Sequence, residues 1–92
     1  MRICIVGAGK MGSFLADAMC LLHDVAIFDV DVRKLQYVFN TRRLTQLEEI
    51  RDFDPELLIN AVTLKYTLKT FEDVLPYISG RCMLSDIASV KT

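Results

Sequence analysis

Glycine is scarce in this sequence, and its distribution is uneven. Only four glycines occur among 92 residues, and three of them, Gly7, Gly9 and Gly12, fall within six positions. An excess of charge of one sign is also lacking, since 11 Lys and Arg stand against 12 Asp and Glu. That near-neutrality argues against a general nucleic-acid or acidic-membrane binder. The absence of any long apolar run argues against a bilayer span and against a signal peptide.

Cysteine and histidine are too few and too scattered to suggest a metal or disulfide site. Cys4, Cys20 and Cys82 form an odd set without a Cys-x-x-Cys pair, and His23 is the only histidine. We therefore expect three reduced thiols in a cytoplasmic protein, and no metal. With 52% hydrophobic and 25% charged residues, the composition is that of one small folded domain spanning residues 1–92.

The order of hydrophobic patterns along the chain predicts an α/β fold with a doubly wound parallel sheet. Short apolar runs rich in β-branched residues predict buried strands, and apolar residues at helical spacing predict helices between them. The predicted strands cover Arg2–Val6, Val25–Phe28, Arg42–Leu44, Leu57–Val62 and Cys82–Ser85. The predicted helices begin near Met11, Asp31, Thr45 and Leu64, and the last one closes near Gly80.

Three local expectations accompany the helices. The first helix is predicted to face the core with a stripe made of Met11, Phe14, Leu15, Ala18, Met19 and Leu22. Asp31 is expected to cap the second helix. Thr45 and Glu48 have the spacing of a capping box at the start of the third.

The clustered glycines form a Gly-x-Gly-x-x-Gly sequence between a predicted strand and a predicted amphipathic helix. In that context Gly7 makes the tight turn, Gly9 lets the backbone approach a pyrophosphate, and Gly12 lets the helix pack closely. The free N–H groups at the helix start suit phosphate oxygens. This pattern predicts a Rossmann-type dinucleotide site whose loop residues are Gly7, Ala8, Gly9, Lys10, Met11 and Gly12.

An acidic residue follows the second predicted strand, as the dinucleotide fingerprint requires. Asp29 comes directly after Phe28 and 17 positions beyond Gly12. Its carboxylate can accept hydrogen bonds from ribose hydroxyls and would repel a 2′-phosphate, which favours NAD over NADP. Arg33 or Lys34, early in the next helix, could weaken that preference. The alternative is a purely structural turn with Asp29 as a helix cap.

The segment from Asp86 to Lys91 has the form Asp-x-x-Ser-x-Lys and follows the last predicted strand. It resembles a motif of prephenate and arogenate dehydrogenases, the enzymes of tyrosine biosynthesis. The resemblance extends along the whole chain, through the glycine loop with Met11, the Asp54-Pro55-Glu56 approach to the fourth strand, and the Leu75-Pro76-Tyr77-Ile78 helix end.

The resemblance implies oxidative decarboxylation of prephenate to 4-hydroxyphenylpyruvate, with NAD as the hydride acceptor. It implies that the glycine loop and Asp29 hold the cofactor, with Ala61 and Val62 beside the nicotinamide. Ala61 departs from many relatives, which carry a small polar or proline-containing stretch there. Ser89 corresponds to the serine that orients the substrate hydroxyl and the catalytic base, and Lys91 lies near the same pocket.

The catalytic base itself is missing from this sequence. In the family that the chain resembles, the base is a histidine downstream of the serine–lysine motif, and arginines of a helical domain bind the substrate carboxylates. We therefore expect an amino-terminal cofactor-binding half that binds NAD and turns over nothing alone. Two alternatives stay open: the cofactor domain of a 6-phosphogluconate or β-hydroxyacid-type dehydrogenase, and a non-enzymatic NAD-sensing module. An exposed last strand could pair two copies into a homodimer.

Overall fold

The computed structural model of the chain describes residues 1–38, 41–62 and 67–86. Its five strands are β1 (Arg2–Val6), β2 (Asp24–Phe28), β3 (Arg42–Leu44), β4 (Leu57–Asn60) and β5 (Met83–Asp86). Its three α-helices are α1 (Lys10–Met19), α2 (Leu47–Phe53) and α3 (Thr67–Val74). Two short 3₁₀ helices, Val32–Tyr37 and Leu75–Tyr77, complete the described elements.

The strands form one sheet in the order β3-β2-β1-β4-β5, and every neighbouring pair is parallel. The chain therefore moves outward from β1 to β3 and then returns to the other side of β1 with β4. This reversal leaves a crevice at the carboxyl ends of β1 and β4, the place where open α/β sheets bind ligands. The fold is a single α/β domain of the Rossmann type, as the sequence predicts.

Side chains of the central strands alternate between two apolar layers, because successive residues of a strand point to opposite faces. Ile3 and Ile5 lie in one layer, which α1 and the first 3₁₀ helix cover. Cys4 and Val6 lie in the other layer, which Ile50 of α2 and other side chains of α2 and α3 cover. Burial on both faces explains why the strands are nearly continuous apolar runs.

The predicted buried face of α1 is wrong in part. The helix contacts the sheet through small residues, since Gly12 and Ala16 are its buried positions. Leu15 and Met19 pack against the core as expected. The other predicted members face solvent: Met11 is 55% exposed, Phe14 66% and Leu22 85%, and Ala18 is also exposed. The small side chains bring the helix axis close to the strands, which turns the larger neighbours outward.

The second predicted helix is a six-residue 3₁₀ helix rather than an α-helix. Asp31 does cap it, because its side chain accepts a hydrogen bond from the Arg33 amide. Within the helix Leu35 is buried and Val32 is exposed, and Val38, the C-cap residue, is buried as well. The segment connects β2 to β3, and 3₁₀ turns are frequent as connectors.

The capping box at α2 is one residue later than predicted. Glu49, not Glu48, turns back to the helix start, and its Oε1 accepts from the amides of Thr45 and Gln46, each at 2.9 Å. The Thr45 hydroxyl donates to the same oxygen at 3.1 Å. Gln46 is consequently the N-cap residue.

The remaining boundaries differ modestly from expectation. β4 ends at Asn60 instead of Val62, and β5 covers Met83–Asp86 instead of Cys82–Ser85. The last helix gives way to a 3₁₀ turn after Val74, where Pro76 cannot continue an α-helix. Leu64, the predicted start of its apolar stripe, lies outside the described residues. β5 occupies one edge of the sheet, as the sequence predicts.

Candidate functional site

The turn after β1 is wedged between the ends of its two neighbouring strands. The Gly7 amide donates to the carbonyl of Phe28 in β2 at 2.7 Å, and the Ala61 amide donates to the carbonyl of Val6 at 2.7 Å. Gly7 has φ +109°, and a Cβ there would lie 3.0 Å from the backbone of Ala61 and Val62. Both the dihedral angle and the close approach therefore require glycine at this position.

Helix α1 rests directly on this turn. A Cβ on Gly12 would lie 1.8 Å from the carbonyl oxygen of Gly7 and 3.4 Å from the Cβ of Ala61. No side chain fits in that space, so Gly12 serves the close packing that the motif predicts. The contact aims the start of α1 at the crevice between β1 and β4.

The space above Gly9 is open. A Cβ at this position would meet no atom of the described residues within 4 Å, and Gly9 is the N-cap of α1. No side chain in the part of the chain that the structure describes caps the helix, and its first turn carries no acidic residue. The first amides of an α-helix have no intrahelical acceptor. An anion with several oxygens, such as a pyrophosphate, fits this arrangement because it can accept from those amides without meeting a side chain at Gly9.

Asp29 connects the end of β2 to the glycine turn. Its Oδ2 accepts from the Ala8 amide at 2.8 Å, and its Oδ1 accepts from the Asp31 amide at 2.8 Å. Only 8% of the residue is exposed. A carboxylate has about four acceptor positions, so each oxygen can take a further hydrogen bond from a ligand. Asp29 therefore braces the loop and still presents acceptors at the crevice.

An ion pair between Asp31 and Arg33 follows Asp29 in the chain. The carboxylate of Asp31 accepts from Arg33 Nε at 3.1 Å through Oδ1 and from Arg33 Nη2 at 3.2 Å through Oδ2. These hydrogen bonds and the guanidinium charge lower the pKa of Asp31, and the same hydrogen bonds raise the pKa of Arg33. The pair lies at the rim, where Arg33 is 85% exposed as a side chain.

A small hollow of about 70 Å³ adjoins the glycine turn on the face of the sheet that α2 and α3 cover. Phe28, Val62 and Val74 contribute apolar walls, and Asp29, Thr70 and Asp73 contribute polar ones. Mostly apolar walls with a few polar groups are typical of small-molecule sites. The hollow extends the crevice from Gly7 towards α3.

A larger cleft of about 390 Å³ lies at the opposite, amino-terminal edge of the strands. Arg2 and Asp54 interact with each other inside this cleft. Arg2 Nε donates to the backbone carbonyl of Asp54 at 2.7 Å, and Arg2 Nη2 lies 3.5 Å from the side-chain carboxylate of Asp54. Glu56 accepts from the Arg2 amide, which lowers the pKa of that carboxyl. Its position away from the strand carboxyl ends makes it the weaker candidate site.

The structure brings together most of the residues that the sequence singles out. Gly7, Ala8, Gly12, Asp29, Ala61 and Val62 meet around one turn, and Gly9, Lys10 and Met11 form the adjoining start of α1. Lys10 and Met11 are exposed. Ser89 and Lys91, the predicted catalytic residues, lie outside the described residues.

Asn60 is a polar residue of this region that sequence reasoning overlooked. It is fully buried at the end of β4, and its Oδ1 accepts from the Val62 amide at 3.1 Å. The bond shapes the turn that carries Ala61 and Val62 past the glycine loop. The available signal was an amide inside the otherwise apolar run Leu57–Val62. Thr70 and Asp73 were missed as well, because only the tertiary fold places them beside the glycine turn.

Neither a metal site nor a membrane-spanning helix is found in the described part of the chain. Among residues 1–38, 41–62 and 67–86, no group of three His, Cys, Asp or Glu side chains could hold a metal ion. No helix among these residues has the length and apolar character needed to cross a bilayer.

Comparison with known proteins gives similarity at the level of structure. No family model matches the sequence, and no curated protein matches it. Prephenate dehydrogenase from A. aeolicus, solved with hydroxyphenyl propionate and NAD+, superposes with a TM-score of 0.84 at 15% identity, over 94% of this chain and 32% of that one. Synechocystis arogenate dehydrogenase gives a TM-score of 0.79 at 21% identity, over 100% of this chain and 34% of that one.

A third solved structure broadens the group. The 3-hydroxyacyl-CoA dehydrogenase of Archaeoglobus fulgidus gives a TM-score of 0.78 at 23% identity, over 94% of this chain and 33% of that one. At these identities the likeness establishes a fold shared with dehydrogenases of several substrates. The chain spans about a third of the length of each of these structures.

Proposed function

We propose that this chain binds NAD at the carboxyl edge of its sheet and forms the cofactor-binding part of a prephenate or arogenate dehydrogenase. The observation that carries the proposal is the open space over Gly9 at an uncapped helix start, directly beside the buried carboxylate of Asp29. One groove thus offers amide donors for phosphates and carboxylate acceptors for ribose hydroxyls.

Each part of the groove has a role in holding the dinucleotide. The amides at the start of α1 donate to the pyrophosphate, and the missing side chain at Gly9 lets it approach. Asp29 accepts from the adenosine ribose hydroxyls and repels a 2′-phosphate, so NAD is preferred to NADP. The hollow bounded by Phe28, Val62 and Val74 receives the adenine ring. When bound, the nicotinamide accepts a hydride.

The choice of prephenate or arogenate as substrate rests on the carboxyl-terminal motif. From the resemblance of this motif, we assign to Ser89 the orientation of the substrate hydroxyl and to Lys91 a role in the same substrate site. Removal of a hydride from the carbinol carbon is helped by a base that takes the hydroxyl proton. The only histidine of the sequence is His23, which is exposed between α1 and β2, away from the groove. We therefore assign the base to a further domain of the enzyme.

Titration calorimetry with NAD tests cofactor binding, and two glycines provide matched variants. At neither Gly9 nor Gly80 would an added Cβ meet an atom of residues 1–38, 41–62 or 67–86 within 4 Å, but Gly9 borders the groove and Gly80 does not. We expect Gly9→Ala to weaken NAD binding by about tenfold or more, equivalent to about 1.4 kcal/mol. Its cost in folding free energy stays within about 1 kcal/mol, as for an N-cap substitution. Gly80→Ala leaves NAD affinity unchanged. Absence of NAD binding, or equal affinity of Gly9→Ala and the parent chain, would contradict the proposal.

Activity assays separate the substrate proposal from its alternatives. Followed by NADH absorbance, the 92-residue chain is expected to oxidise no prephenate, and turnover by this chain alone would contradict its role as a cofactor-binding part. A longer form that supplies the base is expected to oxidise prephenate or arogenate. Oxidation of a β-hydroxyacid or 6-phosphogluconate instead would favour the first alternative. NAD binding without oxidation of any of these would favour a sensing module.

A further inference from the structure

The segment after β2 carries two carboxylates followed by two cations. Asp29 and Asp31 stand two positions apart, and Arg33 and Lys34 follow at the start of the 3₁₀ helix. In the proposed site this segment borders the adenosine ribose. Charges here therefore decide whether a 2′-phosphate on that ribose is tolerated.

Asp31 is fixed in relation to Asp29 and to the glycine turn. The Asp31 amide donates to Asp29 Oδ1, while Asp29 Oδ2 accepts from the Ala8 amide. One carboxylate thus ties the position of Asp31 to the loop that would bind the phosphates. The side chain of Asp31 also accepts from the Arg33 amide at 3.1 Å, which holds it at the start of the 3₁₀ helix.

The guanidinium of Arg33 is turned back onto Asp31. Its Nε and Nη2 atoms, which form one edge of the planar group, both donate to the Asp31 carboxylate. Arginine binds a phosphate most effectively through such a pair of parallel N–H bonds. A bond to Asp31 and a two-point bond to a phosphate through this edge exclude each other.

We infer that Asp31 is a specificity-determining positioning residue, which disfavours a 2′-phosphorylated cofactor by engaging the Nε–Nη2 edge of Arg33. The inference rests on the proposed function, since it concerns the ribose end of the same groove. Asp31 acts in two ways. Its own charge repels the phosphate, and it occupies the Nε–Nη2 edge of Arg33, a two-point donor for a phosphate.

A double-mutant cycle separates the two actions of Asp31. Dissociation constants for NAD and NADP are measured by calorimetry for the parent chain, Asp31→Asn, Arg33→Ala and the double variant. Asparagine is as good an N-cap as aspartate, so it keeps an oxygen for the Arg33 amide while it removes the negative charge and the Oδ2 atom that accepts from Arg33 Nη2. We expect Asp31→Asn to tighten NADP binding by about tenfold or more, with NAD affinity changed by less than about threefold.

The contribution of Arg33 appears in the other two variants. In the Arg33→Ala background we expect most of the NADP gain from Asp31→Asn to disappear. Arg33→Ala alone is expected to change NADP affinity little, because the arginine is already engaged by Asp31. Lys34→Ala is the matched control for loss of a neighbouring exposed cation. In combination with Asp31→Asn it is expected to retain most of the gain.

The outcomes distinguish this inference from the proposed function. If the parent chain binds NAD but Asp31→Asn leaves the ratio of NADP to NAD affinity unchanged, the inference is overturned and the cofactor site stands. An equal NADP gain with and without Arg33 also overturns it, since charge alone then explains the effect. If the parent chain binds neither cofactor, both proposals fail. Should Asp31→Asn fail to fold by circular dichroism, Asp31→Ser removes the same charge, keeps a capping oxygen and is judged by the same outcomes.

Discussion

Asp29 and Ala8 are joined by a 2.8 Å hydrogen bond between a side-chain carboxylate and a backbone amide, 21 positions apart in the sequence. The bond links the end of β2 to the glycine turn after β1. With the second bond to the Asp31 amide, it makes Asp29 a structural brace as well as a proposed ribose ligand. The two alternatives posed for Asp29, structural group and cofactor ligand, are therefore compatible.

Replacing Asp29 with asparagine is expected to lower both stability and NAD affinity. An amide side chain offers one oxygen acceptor, so one of the two backbone N–H groups would face another donor. Loss of a buried hydrogen bond to a charged group costs about 2 kcal/mol. Urea denaturation measures that loss, and calorimetry is expected to show NAD binding weakened by about tenfold.

Asp24→Asn is the matched control for this prediction, because Asp24 is exposed at the other end of the same strand. It is expected to change stability by less than about 0.5 kcal/mol, as surface substitutions usually do. Equal stability and equal NAD affinity of Asp29→Asn and Asp24→Asn would show that Asp29 neither braces the turn nor contacts the ribose.

Gly12→Ala is expected to be strongly destabilising. The new Cβ would lie 1.8 Å from the carbonyl oxygen of Gly7, a backbone atom held between two strands. Relief requires α1 to move off the sheet, and overpacking of this kind costs about 3 kcal/mol or more. Thermal and urea unfolding measure the cost, with Gly80→Ala as the unaffected reference. A Gly12→Ala chain as stable as the parent would contradict the close contact of α1 with the turn.

The α2 capping box gives a prediction about acid sensitivity. Amide hydrogen bonds from Thr45 and Gln46 lower the pKa of Glu49 below its ordinary value of 4.5. A carboxyl whose pKa is depressed in the folded state adds stability above its unfolded pKa, and that contribution is lost as the pH falls through the folded pKa. Glu49→Gln is therefore expected to be less stable than the parent at pH 7 and to approach it in stability as the pH falls below 4.5.

Glu48→Gln distinguishes the observed capping register from the one that the sequence suggested. Glu48 is exposed on the first turn, so its substitution is expected to have little effect at either pH. The measurement is the melting temperature of both variants across an acid titration. A larger pH-dependent loss in Glu48→Gln than in Glu49→Gln would restore the predicted register.

The three thiols are expected to react in a fixed pattern with iodoacetamide. Burial and the neighbouring Cys82 raise the pKa of Cys4 to about 12, so almost none of it is thiolate at pH 8. Cys20 and Cys82 are partly exposed, and burial raises the pKa of Cys82. Mass spectrometry of the native chain should find label on Cys20 and Cys82, and label on Cys4 only after unfolding. Rapid native labelling of Cys4 would contradict its place in the core.

The sequence predicts the strands better than the helix surfaces, and the reason is physical. Buried parallel strands such as β1 consist almost wholly of apolar residues, so composition alone reveals them. The face of α1 is decided by Gly12 and Ala16, whose small size permits close approach but contributes little to an apolar stripe. Larger residues such as Phe14 then suggest a core face that the packing does not use.

The candidate site was predictable where one motif specifies it and unpredictable where several segments meet. The spacing of Gly7 and Gly12 alone predicts both the turn and the close contact of α1 with it. The hollow beside them joins Val62, Thr70 and Asp73 to the glycine turn. No sequence pattern connects these positions, because their proximity depends on the return of the chain from β3 to β4.

The contact of Gly12 with the carbonyl of Gly7 has a consequence for the rate and the thermodynamics of binding. The amides that would receive a phosphate are already arranged before any ligand arrives, because the turn cannot relax without displacing a helix packed on the sheet. Little chain entropy remains to be lost on association. Encounter rather than refolding of a loop then limits the on-rate, and differences in affinity between dinucleotides appear mainly as differences in how long each one stays bound.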